Sequence, residues 1–263
     1  VVHFRGSDLS AQRRIGVLSG RYRRLVSIAS GGVCKSKQMA AKLEQLGMLP
    51  SRILISASGA NPALFKAGNP ALAAPVFLAV GRFVAKKGPL KTIRAFALQP
   101  IGELWMVGDG PLFEDARRLV QDLQLQARVC FLGVKTQPEV ADLMRQVRVF
   151  VQHSLIAPDG DSEGNPVSVM EAQLSGLPVV ATRHAGIPDV VLDGCTGLLV
   201  EEGDVQGMAA AMERLMADPG LAARFGSAGR DRVLAGFTLG HHLQALTGFL
   251  QQQITVPVHP RPA

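Results

Sequence analysis

From about residue 75 onward, short apolar runs alternate with longer amphipathic ones, and no other feature of the chain constrains its fold as tightly. Val76–Val80, Glu103–Val107, Val129–Leu132, Val149–Gln152, Pro178–Thr182 and Gly197–Val200 read as strands. The stretches Gly88–Leu98, Leu112–Leu123, Glu139–Gln146, Val167–Ser175 and Val205–Ala217 read as helices. Strand–helix alternation with loops this short implies an α/β fold, a parallel sheet covered by helices on both faces. Ligands of such sheets bind beyond the carboxyl ends of the strands. The glycine turns Gly81, Gly108-Asp109-Gly110, Gly133 and Gly164 fall at those ends.

Residues 1–70 have a different pattern. They hold a strand VVHF, a basic helical region, a strand near Leu25–Ala29, a helix near Ser36–Leu46 and a strand Arg52–Ser56. The Gly/Asn/Pro-rich segment Ala57–Phe65 links them to the alternating part of the chain. This reads as the final part of another α/β domain. The expected division is 1–70 for a partial first domain and linker, 71–237 for a complete second domain, and 238–263 for a terminal helix (Thr238–Gln253) with a disordered tail from Pro257.

Within the second unit, Glu163 and Glu171 stand eight positions apart in DGDSEGNPVSVMEAQLS (159–175). Glu163 lies in the loop after an apolar strand, and Glu171 about one and a half turns inside the next helix. Asn165 suits the N-cap and Pro166 the first helical position. The free N–H groups of that helix start can hold an anion, and the two carboxylates can accept hydrogen bonds from hydroxyls. Phosphate on one side and hydroxyls on the other describe a sugar nucleotide.

Charge is concentrated at the start. Residues 1–70 carry eleven Lys/Arg against Asp8 and Glu44 alone, whereas the whole chain is +7, so the remainder is slightly acidic. A basic first quarter suits a membrane surface or a diphosphate-bearing acceptor as well as plain solvation. Nucleic acid is not expected, because Tyr22 and Trp105 are the single residues of their types and leave little for bases to stack on. No apolar run approaches about 20 residues, so no spanning helix is expected. Charges at Arg5, Asp8, Arg13 and Arg14 interrupt any signal peptide. Cys34, Cys130 and Cys195 read as reduced thiols of a cytoplasmic protein, at the membrane's inner face if the basic segment docks there.

The motifs VGRFVAKKG (80–88), VGDGPL (107–112), FLG (131–133), DGDSEGNPVSVMEA (159–172), SGLPVVAT (175–182) and AGIPDVVLDGCTGLLV (185–200) occur in one order and spacing. In these the chain resembles the donor-binding domain of retaining GT-B glycosyltransferases of glycosyltransferase family 4, especially those that build bacterial exopolysaccharides. The likeness covers 76–235 and extends more weakly to VVHFRGSDLS at the start. It implies a GT-B architecture: a complete Rossmann-like donor domain and a partial N-terminal acceptor domain whose opening strands are missing. The implied reaction transfers a sugar, with retention, from a nucleotide diphosphate sugar to a glycan or lipid-linked hydroxyl acceptor, UDP-sugar being preferred to GDP-sugar. A donor-binding fragment without turnover, or a subunit completed by a partner, is the alternative.

The resemblance assigns Arg82 and Lys87 to the donor diphosphate, a role two cations bracketing a strand-end loop can perform. It assigns Glu171 to the ribose hydroxyls and Glu163 to hydroxyls of the transferred sugar. Amides of Gly164, Asn165 and Val167 face the phosphate, the loop of Gly133, Val134 and Lys135 borders the base, and Gly108 and Asp109 lie beside the donor. No cofactor and no metal is expected: Asp159-Gly160-Asp161 spells a DxD, but in this setting it reads as loop acidity. Nor is Gly108-Asp109-Gly110 a dinucleotide fingerprint. The chain departs from the family where Arg5 stands in place of a usual histidine, in Phe4-Arg5-Gly6-Ser7-Asp8, and where Ser58-Gly59-Ala60-Asn61 replaces N-G-x-D.

Overall fold

Two parallel sheets organise the residues described by the computed structural model, 1–10 and 16–255. The first has three strands in the order β1 (Val2–His3), β2 (Gly32–Cys34) and β3 (Ile53–Ile55). With them go α1 (Ser7–Ser10), α2 (Ser19–Ile28) and α3 (Lys37–Gln45), the last packed on β2 and β3. Ser36 starts α3 by accepting from the Met39 N–H at 3.3 Å. Phe4, Leu9, Val26, Cys34, Met39 and Leu43 form a small core for this unit.

The strand expected near Leu25–Ala29 is instead the end of α2. Its β-branched residues imitate a strand, but only Val26 faces the core, as a helix would have it. The true strand, β2, is three residues long, wholly buried and opened by Gly32, against which the Met48 sulfur packs. Residues 11–15 of the basic helical region lie outside the described residues.

The second sheet has six strands: β4 (Ala74–Val80), β5 (Glu103–Val107), β6 (Val129–Gly133), β7 (Val147–Gln152), β8 (Val179–Thr182) and β9 (Gly197–Val200). Their order is β6-β5-β4-β7-β8-β9, every pair parallel. Helices α4 (Pro89–Phe96), α5 (Phe113–Asp122), α6 (Gln137–Met144), α7 (Val167–Leu174), α8 (Ile187–Val190), α9 (Val205–Ala217) and α10 (Pro219–Gly236) accompany it. Successive side chains on a strand point to opposite faces. Phe77 and Val151 accordingly join α4, α5 and α9 in one core, while Leu78 and Phe150 join α6, α7 and α8 in the other. Phe150 is fully buried on β7, and truncating it to alanine would cost about 3–5 kcal/mol. The order of strands reverses between β4 and β7, so their carboxyl ends open a crevice there.

Helix α10 is absent from the sequence reading. Gly220, Gly226, Gly229 and Gly236 fall within its 18 residues, and an interior glycine costs a helix about 1 kcal/mol relative to alanine. Packing explains two of them. A Cβ on Gly226 would overlap the Gly176 carbonyl oxygen, and one on Gly229 would stand 3.0 Å from Gln173 Nε2.

After α10 the chain returns to the first sheet through α11 (Leu239–Thr255), matching the expected terminal helix. The Ala60 N–H donates to the Phe237 carbonyl at 3.0 Å and the Leu239 N–H to the Ala60 carbonyl at 2.8 Å. Ala60 and Thr238 thus form a bridge where the chain leaves the first unit and where it comes back. The Phe249 ring then lies against Gly31, and His242 Nδ1 is 2.7 Å from Ser56 Oγ. The tail from Pro257 lies outside the described residues.

Candidate functional site

Strand β4 ends at Val80, and the loop after it is pinned by Phe83. That ring is buried against Phe113 and Phe131, at centroid distances of 5.4 and 6.0 Å, and the Phe83 N–H donates to the Asp109 carbonyl at 2.9 Å. With Phe83 turned inward, Arg82 is left exposed, with no hydrogen bond or ion pair among the described residues. A short 3-10 turn, Ala85–Lys87, then leads to Gly88, whose φ of +54° and contact with the His153 carbonyl leave no room for a Cβ. This turn directs Lys87 back over the crevice, where it and Arg82 line one small pocket with Gly81 and Gln152.

Across the crevice, the loop after β7 carries Glu163. Its Oε1 lies 3.3 Å from Lys87 Nζ, a charge contact without hydrogen-bond geometry, the side chains being 10% and 18% exposed. Burial pushes the Lys87 pKa down, and the charges of Glu163 and Glu171 oppose that shift. The Glu163 backbone is held from behind. Its N–H donates to His184 Nε2 at 3.1 Å, and His184 Nδ1 is 2.6 Å from Glu202 Oε1. Because Nε2 accepts, Nδ1 must carry the proton toward Glu202. The other Glu202 oxygen accepts from the Ile156 N–H at 2.8 Å, so one carboxylate ties down both ends of the loop.

Glu171, 7% exposed, sits inside α7 and accepts from Gln137 Nε2 on α6 at 3.3 Å. Burial raises its carboxyl to about 7, against the weaker pull of Gln137 and Lys87. Glu171 is therefore close to the midpoint of its titration near neutral pH.

Gly108 and Asp109 at the end of β5 meet Gly133 and Val134 at the end of β6, the Gly108 N–H donating to the Gly133 carbonyl at 2.8 Å. These four line a cleft of about 390 Å³ with Phe113 and Glu114. Lys135 is drawn away: its Nζ reaches Glu139 Oε1 at 3.4 Å, beside the capping box in which Thr136 starts α6. Asn165 also differs from expectation. Pro166 is the N-cap of α7, with ψ of 119°, and Asn165 makes no cap. The N–H groups of Gly164, Asn165 and Val167 have no protein acceptor among the described residues. In the DGD segment, Asp161 pairs with Lys86 at 3.0 Å, and no group of three or more His, Cys, Asp or Glu placed to hold a metal occurs among the described residues.

His184, Glu202 and Gln137 were not foreseen. His184 lies two residues beyond β8, at the carboxyl edge where ligands gather, and that position alone could have flagged it. The two sheets meet here: a Cβ on Gly164 would stand 3.2 Å from the Arg5 carbonyl oxygen and from Lys35 Cβ, and the Lys37 N–H donates to Asp189 at 3.0 Å.

Two parallel sheets joined at such an edge, with an acidic loop at the switch point of the larger, define the GT-B class of glycosyltransferase folds. The pattern of the glycosyl transferases group 1 family matches residues 61–232, and the chain belongs to that family. It is 31% identical over 80% of its length to the putative colanic acid biosynthesis glycosyltransferase WcaL of Salmonella typhimurium, covering 53% of that protein. It is 33% identical over 82% of its length to the amylovoran biosynthesis glycosyltransferase AmsK of Erwinia amylovora, covering 54% of it. The chain thus spans about half the length of these curated relatives. Anabaena Alr3699/HepE, solved with UDP and glucose, superposes with a TM-score of 0.81 at 22% identity, over 95% of this chain and 71% of that one. Sucrose-phosphate synthase of Thermosynechococcus elongatus gives 0.79 at 28% identity, over 94% and 64%. No helix among the described residues is long and apolar enough to cross a membrane.

Proposed function

We propose that the chain serves a retaining glycosyltransferase of family 4, moving a sugar from a nucleotide diphosphate sugar, UDP-linked by preference, to a hydroxyl of a glycan or lipid-linked acceptor in bacterial polysaccharide or lipopolysaccharide synthesis. One observation carries this reading. Lys87 stands 3.3 Å from Glu163 and its charge is felt at Glu171, so a cation for the diphosphate and carboxylates for hydroxyls converge at the switch point.

On donor binding, Lys87 exchanges Glu163 for the diphosphate and Arg82 closes from the rim. Both cations, with the free amides of Gly164, Asn165 and Val167, stabilise the charge that builds on the leaving diphosphate. Glu163, released, accepts from hydroxyls of the sugar beside the anomeric carbon. Glu171 accepts from the ribose, while Gly108, Asp109, Gly133 and Val134 border the base. Lys135, held to Glu139 at 3.4 Å on the exposed rim, borders the base beside them. With the diphosphate leaving and the acceptor hydroxyl attacking on one face, no protein nucleophile is needed.

Thermal shifts with UDP, GDP and ADP on the native chain and on Glu171→Ala test the donor site, a ligand at about 100 times its Kd adding about 2.7 kcal/mol. The variant should lose roughly 1.5–3 kcal/mol of nucleotide affinity. No shift with any nucleotide, or equal shifts in both proteins, would sink the reading. The anomeric configuration of the product, read by NMR, tests retention, and binding without transfer would assign the chain a donor-holding role alone.

A further inference from the structure

A second cleft, of about 660 Å³, opens between β3, the start of α7 and the helices α10 and α11. Lys35, Lys37, Ser56, Asn165, Arg232 and His242 are among the residues that line it. Of its other charges, Arg232 and Asp189 are already engaged, and Lys37 is exposed to solvent. Arg232 donates to the carbonyls of Val190 and Asp189 at 2.6 and 2.7 Å, and the Asp189 carboxylate accepts from the Lys37 N–H at 3.0 Å.

Two lining side chains are buried and have nothing to bind. Lys35 is 4% exposed, and its ammonium has no hydrogen bond or ion pair among the described residues. Asn165 is 9% exposed, and neither its amide oxygen nor its amide nitrogen has a partner. Buried polar groups are normally satisfied, so the sealed Asn165 amide is a cost that the fold carries, while the Lys35 ammonium keeps contact with the cleft. The surroundings worsen the problem. Burial first, and then the nearby Arg5 charge, press the Lys35 pKa down to about 8, while burial and the Lys35 charge hold those of His3 and His242 below their usual value. Near this cluster the first unit offers Asp8, which accepts from the Arg5 and Gly6 N–H groups at 2.8 Å. What is missing is an anion.

We propose that Lys35 and Asn165 form a binding site in this cleft for a phosphate or carboxylate group carried by the sugar acceptor. That the anion belongs to an acceptor rests on the glycosyltransferase reading; that an anion binds does not. The site is separate from the pocket of Arg82 and Lys87, because Asn165 offers its side chain to this cleft and only its backbone to the donor.

The test is calorimetric titration of the chain with inorganic phosphate and, separately, with glucuronate, for the native protein, Lys35→Met and Lys35→Arg, with UDP titrated in parallel. The native protein should bind at least one anion, Lys35→Met should weaken it about tenfold, and Lys35→Arg should retain it. Which probe binds tells phosphate from carboxylate. UDP affinity should be the same in all three, so a native protein that binds phosphate but none of UDP, GDP and ADP would overturn the proposed donor site and leave this anion site standing. Lys35→Met should fold at least as stably as the native chain, since it removes an uncompensated buried charge. Should it not, Asn165→Asp supplies a second variant, in which a carboxylate occupies the site and anion binding should be lost. Native protein that binds neither anion, or Lys35→Met that binds as well as native, overturns the proposal.

Discussion

Lys87 Nζ and Glu163 Oε1 stand 3.3 Å apart across the mouth of the crevice between β4 and β7, each the main counter-charge of the other. On the proposed reading a diphosphate entering there would compete for the lysine, and until then the two charges neutralise each other.

Breaking that pair from one side should therefore be costly. Lys87→Met strands Glu163 without its cation, and the loss should be about 1–3 kcal/mol, less than for a fully buried pair because both groups retain some exposure. Adding Glu163→Gln should restore part of the loss. Urea denaturation of the four proteins in the cycle measures the coupling, and strictly additive costs would show that there is none.

Glu171 makes stability fall as pH rises. Its carboxyl titrates at about 7 in the folded chain against 4.5 in the unfolded one. Below pH 4.5 both states are protonated and there is no penalty. Between the two values the unfolded chain gives up its proton first, and above 7 the full penalty of an ionised buried group applies, of order 3 kcal/mol. Glu171→Gln should thus be more stable than native at pH 8 and no more stable at pH 4.5, by denaturation at each pH. Nucleotide affinity should run the other way, the native chain gaining more from pH 6 to 8 than the variant, since both share the ionisation of the nucleotide's terminal phosphate.

His184 should matter to turnover more than to nucleotide binding. Its Nε2 accepts from the Glu163 N–H at 3.1 Å, so His184→Ala leaves that buried donor unpaired at about 1–3 kcal/mol. The loop carrying Glu163 then loosens while Glu171 and Gln137 are untouched. A fall in kcat with little change in UDP affinity is expected; equal losses in both would mean a general structural role.

Two glycines should behave oppositely. Gly226→Ala drives a methyl into the Gly176 carbonyl and should destabilise by about 1–3 kcal/mol. Gly248, in α11, has nothing within 4 Å of where a methyl would stand, so its alanine variant should gain about 0.5–1 kcal/mol. Thermal denaturation of both variants checks the pair.

The sheet was legible because its signal is local. Glu103–Val107, Gly197–Val200 and Val205–Ala217 are each found with the expected bounds, since burial on both faces leaves an unbroken apolar run and one-sided burial a helical stripe. Helix α10 was hidden because its glycines answer to the Gly176 carbonyl and to Gln173, residues some fifty positions earlier that no local pattern reveals. The Leu25–Ala29 segment misled through β-branched composition. At the site, Glu163 and Glu171 stand out by their spacing, whereas Arg82 and Lys87 are named through the resemblance; Lys87 lines one pocket with Arg82 and lies 3.3 Å from Glu163. What spacing could not give was the partner of each: Glu139 for Lys135, Gln137 for Glu171, His184 for the Glu163 backbone, and for Lys35 none.

The bridge between Ala60 and Thr238 makes the segment from 61 to 237 a closed excursion whose entrance and exit share one hydrogen-bonded point. The chain therefore enters and leaves this segment at one hydrogen-bonded seam, while Gly164 and Asp189 touch the first unit elsewhere. A segment from a relative spliced at Ala60 and Thr238 keeps its backbone continuity at that seam, and whether it docks is decided at those other contacts.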